Sequence, residues 1–185
     1  MASASPRRKQ LFREIVEDFE ILPASGEECV DESLSPDNQC LLLAVQKARE
    51  IAKKYSGKYV LGADTVVAID GKVLGKPKDE ADAKSMLKLL SGRVHEVFTG
   101  VCVITPSGKE FSAVEGTQVR FYALDDAFIN GYVAGGSPMD KAGAYGIQDG
   151  GLVESICGSY NNVVGLPTEL LAKMIAGIIK AEEGK

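Results

Sequence analysis

Histidine and paired cysteine are scarce in this chain: His95 stands alone, and Cys29, Cys40, Cys102 and Cys157 include no Cys-x-x-Cys pair and no neighbouring histidine. That leaves no basis for a zinc site or a dithiol redox motif, and the thiols read as small apolar residues buried in a reducing compartment. A lone histidine at the start of a strand reads as structural, which removes serine-triad chemistry and histidine-based metal binding. Positive charge is also short, since 21 Lys and Arg face 26 Asp and Glu for a net charge of −5. No global field then draws in a nucleic acid polymer by counterion release, although clustered cations and a divalent metal can still hold a small polyanion in one cleft. No run approaches the ~18 apolar residues of a membrane span, and Met-Ala-Ser-Ala-Ser-Pro-Arg-Arg carries no apolar signal segment, so the cytoplasm is expected and a membrane partner is not. Gly-x-x-x-x-Gly-Lys-Ser/Thr is missing, and no Gly-x-Gly-x-x-Gly stands between a strand and a helix, which disfavours P-loop and nicotinamide chemistry.

What is present describes an ordinary globular chain, 45% hydrophobic and 25% charged, with residues 1–185 expected to form one domain. Ser5-Pro6 and Ser35-Pro36 each place a capping hydroxyl before a proline at a first helical position, the second helix running to about Lys54. A short strand is expected around Phe19 to Leu22, followed by an acidic loop from Gly26 to Ser33. Tyr59 to Ala63 and Val66 to Ile69 read as strands with Asp64-Thr65 at their seam, the latter leading through Asp70-Gly71 into a hairpin with Val73-Leu74. Asp79 opens a helix that stops at Gly92, and His95 to Thr105 is a strand turned back at Pro106-Ser107-Gly108. Gln118 to Tyr122 and Leu152 to Ile156 are further strands, Asp125 to Ala134 is a helix, and a last helix follows Pro167. Strands and helices mix without βαβ alternation, so the expected fold is α/β: a mixed, twisted sheet flanked by helices.

Several residues carry chemical promise. Ser3, Ser5, Arg7, Arg8 and Lys9 gather hydroxyls and cations at a helix N-terminus, a place suited to phosphate; the alternative is a solvated basic helix start, which the helix dipole opposes. Asp64 in Gly62-Ala63-Asp64-Thr65 can hold Mg²⁺ or take a proton from attacking water, or it can be a turn-forming carboxylate bonded to its own backbone. Glu28, Asp31 and Glu32 could supply a second metal carboxylate or remain solvated surface. Lys76, fixed between Gly75 and Pro77, suits a phosphate as a point charge, and Lys47 reaches the same cleft or snorkels to solvent. Gln148, at the end of the run from Met139, offers an amide donor and acceptor to a base edge or lies on a surface turn.

Ala2-Ser3-Ala4-Ser5-Pro6-Arg7-Arg8, Gly62-Ala63-Asp64-Thr65-Val66, Gly75-Lys76-Pro77, Leu90-Ser91-Gly92, Asp140 through Gln148 and Val164-Gly165-Leu166-Pro167 together resemble the Maf family of nucleotide pyrophosphatases, in order and over nearly the whole chain. The resemblance implies two lobes around a cleft, similar to the inosine triphosphate pyrophosphatase fold, a divalent metal (Mg²⁺, with Mn²⁺ or Co²⁺ as substitutes), a nucleotide substrate and a homodimer. It implies Asp64 as proton acceptor and metal ligand, and Arg7, Thr65 and Gln148 as the trio associated with dTTP and UTP. It implies Arg8, Lys47 and Lys76 as phosphate-binding cations, Ser3 as the polar residue beside them, and Glu32 as a metal-side carboxylate. A sister subgroup acting on methylated guanosine triphosphate has glutamine after the aspartate and no Tyr-Gly-Ile-Gln, so Thr65 and Gln148 point to pyrimidine triphosphates, with CTP or modified pyrimidines as further substrates. Family members usually carry apolar residues before the Ala-Ser-x-Ser-Pro-Arg-Arg motif, whereas here Met1 adjoins it, so a shortened first strand and a looser phosphate site are expected. The same resemblance leaves room for a nucleotide-binding regulator of cell division that does not turn over its ligand.

Overall fold

In the computed structural model, residues 1–183 are described and form a five-stranded sheet flanked by helices. Helix α1 (Pro6–Arg13) starts where the Ser5 hydroxyl accepts the Arg8 N–H, and α2 (Pro36–Lys54) follows Ser35. Strand β1 (Val60–Ile69) turns at Asp70-Gly71, both with positive φ, into β2 (Lys72–Leu74), the backbone a two-residue hairpin requires. Helix α3 (Glu80–Leu90), capped by Asp79, leads to β3 (Val94–Ile104) and β4 (Glu110–Phe121). Helix α4 (Asp126–Ala134), three short 3-10 turns from Ser137 to Asp149, β5 (Val153–Cys157), α5 (Tyr160–Val164) and α6 (Thr168–Glu183) complete the order.

The strands lie in the order β2-β1-β3-β4-β5. Where the sequence left room for parallel pairing, all four neighbouring pairs are antiparallel. The hairpin reverses the chain after β1, and α3 then delivers it to the end of the sheet that β1 has just left, where Glu96 sits opposite Ala68.

Asp64-Thr65 is not a seam between two strands but the middle of one ten-residue strand. The two polar residues interrupt the apolar pattern without breaking the ladder, because each is satisfied, Asp64 by Lys47 of α2 and Thr65 by Thr99 on the neighbouring strand and by Arg8. Phe19 to Leu22 forms no strand; instead the Leu22 N–H bonds to Met1 O and the Met1 ammonium to Glu20 O. Ala2 N–H bonds to Leu61 O at 2.7 Å, so the start of the chain is pinned to β1 by isolated bonds rather than a ladder. Residues 110–117 of β4 were not legible as strand, since exposed and half-buried side chains alternate there around Gly116; pairing with β3 supplies the regularity.

On one face of β1, Leu61 and Ala63 join a core with α1 and α6, while Val67 and Ile69 join another with α3 and α4. Thr65 lies between these cores. On the opposite face α2 presses against the sheet so closely that a Cβ on Gly62 would stand 2.2 Å from Ala44 O, and one on Gly100 would stand 2.7 Å from Cys40 O. Cys40 of α2 and Cys102 of β3 are buried as expected, with burial pushing the Cys40 thiol up to about 12; Cys29 and Cys157, in a loop and on the last strand, are exposed instead. His95 is buried and structural, its Nε2 2.8 Å from the Tyr145 hydroxyl.

Candidate active site

β2 pairs with β1 only from Val67 onward, and Ala2 meets it at Leu61, so the edge of β1 between these points is open. A cavity of about 530 Å³ sits against that edge. Successive strand residues face opposite sides of a sheet, yet at an open edge both sides communicate. Asp64, facing α2, and Thr65, facing the two cores, therefore line the same cavity.

On the α2 side, Asp64 is 9% exposed and its Oδ1 lies 2.5 Å from Lys47 Nζ. The same ammonium lies 2.9 Å from Glu28 Oε1, so two carboxylates from separate segments converge on one cation. On the other side, the Arg8 guanidinium donates through Nε to Gly165 O and through Nη2 to Thr65 Oγ1, both at 2.8 Å, and through Nη1 to Ser3 Oγ at 3.4 Å. Thr99 donates to Asn162 O at 3.1 Å, Thr65 reaches Gly165 O at 3.4 Å, and the two hydroxyls share a hydrogen bond at 2.9 Å. A chain of hydrogen bonds thus runs from Arg8 through Thr65 and Thr99 to the backbone of α5. Asn162, fully buried, closes the frame by donating to Val97 O and Thr117 Oγ1. Burial lowers the Arg8 pKa and the nearby Asp64 charge opposes that, yet a guanidinium remains cationic.

Arg7 lies at the mouth, paired with Asp140 at 3.2 Å. Lys76 and Gln148 line the cavity with exposed side chains. Ser3 is buried behind Arg8 and touches the site through it. Glu32 is exposed and does not line the cavity, whereas Glu28 does; the Asp31 carboxylate accepts from Ser33. Sequence reasoning also missed Lys141, which lines the cavity and donates to Ser137 and Asp140, and Tyr132, whose hydroxyl accepts the Gly146 N–H and donates to Asp149. The second was invisible because its partners lie in a segment of 3-10 turns with Gly143 and Ala144 at positive φ.

Arg7, Arg8, Lys47, Lys76 and Lys141 outnumber Glu28, Asp64 and Asp140 around the cavity, in a protein whose total charge is negative. The local field therefore favours a small polyanion. Among the described residues no group of three or more His, Cys, Asp and Glu could alone hold a metal, but Asp64 and Glu28 are hard oxygen donors that suit Mg²⁺, which ordinarily takes one or two carboxylates and completes its shell with water and phosphate oxygens.

Fold and site together define a small α/β protein with a polyanion cavity bearing a carboxylate pair at the open edge of its sheet. The chain belongs to the Maf family: the family model described as Maf-like protein matches residues 1–178. It is 51% identical over 176 residues to a dTTP/UTP pyrophosphatase of Thermococcus gammatolerans, covering 94% of this chain and 93% of that one. It is 46% identical over 175 residues to one of Bacillus mycoides, covering 94% and 91%. Among solved structures, the Ham1 protein of Staphylococcus aureus aligns with a TM-score of 0.55 and 17% identity over 95% of this chain and 96% of that one, a likeness of fold that bears out the expected α/β architecture. Among the described residues no helix is long and apolar enough to cross a membrane.

Proposed function

We propose that this protein is a nucleoside triphosphate pyrophosphatase that hydrolyses dTTP and UTP to the monophosphate and pyrophosphate. The observation that carries the reading is Asp64, a nearly buried carboxylate held against Lys47 and facing Glu28 in a cavity where cations converge. The names of the relatives, at 46 to 51% identity over almost the full chain, supply the substrate class.

Asp64 is placed to accept a proton from water. As the water oxygen bonds to the α-phosphorus, the bond from that phosphorus to the α,β-bridging oxygen breaks and pyrophosphate leaves with the electron pair. Arg8 offers its remaining N–H groups to phosphate oxygens without moving, since three contacts already fix its plane. Lys47, on a flexible stem, exchanges its carboxylate partners for phosphate, and Lys76 and Lys141 add point charges. Asp64 and Glu28 would hold the divalent cation, Mg²⁺ being the proposed one, and when bound it neutralises phosphate charge and stabilises the leaving group. Arg7 and Gln148, which line the cavity, are assigned to the sugar and base, the amide pairing with a pyrimidine edge. A cytoplasmic homodimer completes the proposal, the dimer supported by an apolar groove exposing Tyr55, Tyr59 and Ile179.

Hydrolysis of dTTP, UTP, CTP, ATP and GTP with Mg²⁺ or Mn²⁺, with pyrophosphate and orthophosphate detected separately, tests the reading. Pyrophosphate released fastest from dTTP and UTP is expected. Orthophosphate as the first product, or no product from folded protein, would overturn it, the latter in favour of a non-catalytic nucleotide-binding regulator.

A further inference from the structure

The loop carrying Glu28 has no regular structure of its own, yet it is fixed at two points to one face of α2. Glu50 accepts the Ser25 N–H at 3.1 Å on Oε1 and the Gly26 N–H at 3.0 Å on Oε2. One turn earlier, Gln46 accepts the Cys29 N–H at 3.1 Å and donates to Cys29 O at 3.0 Å, binding both backbone groups of that residue with a single amide. A Cβ on Gly26 would stand 3.0 Å from Glu50 Oε2, a tight contact that the glycine avoids. Glu28 lies between the two fixed points, and Lys47, its partner at 2.9 Å, is the residue after Gln46.

We propose that Gln46 and Glu50 are positioning residues: a strap from α2 to the loop that holds Glu28 opposite Asp64, so that a divalent cation meets two carboxylates already in place. The idea rests on the role given above to Glu28, and neither Gln46 nor Glu50 touches substrate in it. Lys54 donates to Glu50 from the next turn at 2.7 Å, and together with the Ser25 and Gly26 N–H groups it brings the Glu50 carboxyl down to about 2. The strap therefore keeps its charged acceptor at any pH at which a phosphate-hydrolysing enzyme works. Without it, the cation would have to order residues 25–30 as it binds, and part of the binding free energy would go into that ordering.

The test uses the intact chain with Gln46→Ala and Glu50→Ala, singly and together, and Glu50→Gln as the conservative variant that retains one acceptor oxygen. Amide hydrogen exchange is followed in residues 25–29 and, as a control, in residues 40–45 of α2, and Mn²⁺ alone is titrated by the loss of its free spin-resonance signal. In the double variant, exchange in the loop should rise about tenfold with α2 unchanged, and Mn²⁺ should bind about tenfold more weakly, the usual size of an outer-shell effect on a metal. In dTTP hydrolysis the half-saturating Mg²⁺ concentration should rise by the same factor while kcat at saturating Mg²⁺ is kept, and Glu50→Gln should fall between wild type and Glu50→Ala. Faster loop exchange with unchanged Mn²⁺ affinity would overturn the proposal, as would unchanged exchange or a wild type that binds no Mn²⁺. A wild type that shows the strap-dependent Mn²⁺ effect but releases no pyrophosphate would instead remove the functional reading and leave the strap standing.

Discussion

The two walls of the cavity are built on opposite principles. On the arginine wall, Arg8, Thr99 and Asn162 are anchored to carbonyl oxygens of Gly165, Asn162 and Val97, so the chain of side chains is fixed at several points to backbone that cannot turn away. On the lysine wall, Asp64, Lys47 and Glu28 are tied only to one another through side chains. The first wall has its hydrogen-bond geometry before any ligand arrives, which spares reorganisation during reaction. The second is a set of ions that can trade partners, which is what admitting a cation and a triphosphate demands. A site that must be rigid toward one part of a substrate and yielding toward another keeps the two properties on different faces of the same strand.

The sharpest break of the lysine wall is Asp64→Asn, which keeps the shape and removes the base. Pyrophosphate release should fall by about 10³ or more while nucleotide affinity by calorimetry stays within a few fold. Loss of binding by folded protein would make Asp64 chiefly a ligand-holding residue.

Away from both walls, His95 is buried against Tyr145 and Phe121, and its burial holds its pKa at about 4 against about 6.5 in the unfolded chain. Between those values the unfolded state takes up a proton that the native state refuses, so stability is fully present above about pH 6.5 and declines as pH falls toward 4. This group alone should cost about 3 kcal/mol, read as a falling urea midpoint over that window. His95→Gln, which cannot titrate, should flatten that part of the curve; an unchanged slope would show that the histidine is not its source.

Arg8→Lys asks whether the fixed wall depends on the planar fork or on charge alone. Lysine keeps the charge but cannot serve Gly165, Thr65 and a phosphate together, so kcat/KM should drop about 30-fold, roughly 2 kcal/mol, accompanied by a lower thermal midpoint. An equal change at Lys47→Arg would erase the contrast between the walls. The smallest effect belongs to the mouth: Gln148→Ala should narrow the preference for UTP over CTP by about tenfold, roughly 1.4 kcal/mol, without changing stability.

Local signals made most of the frame readable. Ser-Pro helix starts, the Asp79 cap, the Asp70-Gly71 turn and the last helix after Pro167 each depend on a few neighbouring residues, and those elements stand where expected. The site residues that came with local pattern, Arg7, Arg8, Lys47, Asp64, Thr65, Lys76 and Gln148, all line one cavity. What could not be read depended on contacts between distant segments. Nothing in Glu27-Glu28 against Asp31-Glu32 says which carboxylate turns inward; the bonds from Gln46 and Glu50 decide it, 17 and 24 or 25 residues away. Likewise β1 looks like two strands until Lys47 and Arg8 are seen to satisfy its polar centre, and β4 acquires its first half only by pairing with β3.

Gly62 and Gly100 have a consequence beyond packing. Where α2 crosses the sheet, these two positions let the helix backbone come to rest almost on the strands, and Lys47 rides on that helix while Asp64 belongs to the strand beneath. The separation between the cation and the carboxylate is thus set by two side chains that are absent, as a gauge is set by a gap. A designer who wished to move this enzyme to another nucleotide could exchange the mouth around Gln148, but a single added methyl group at either glycine would lift the helix and detune every substrate at once.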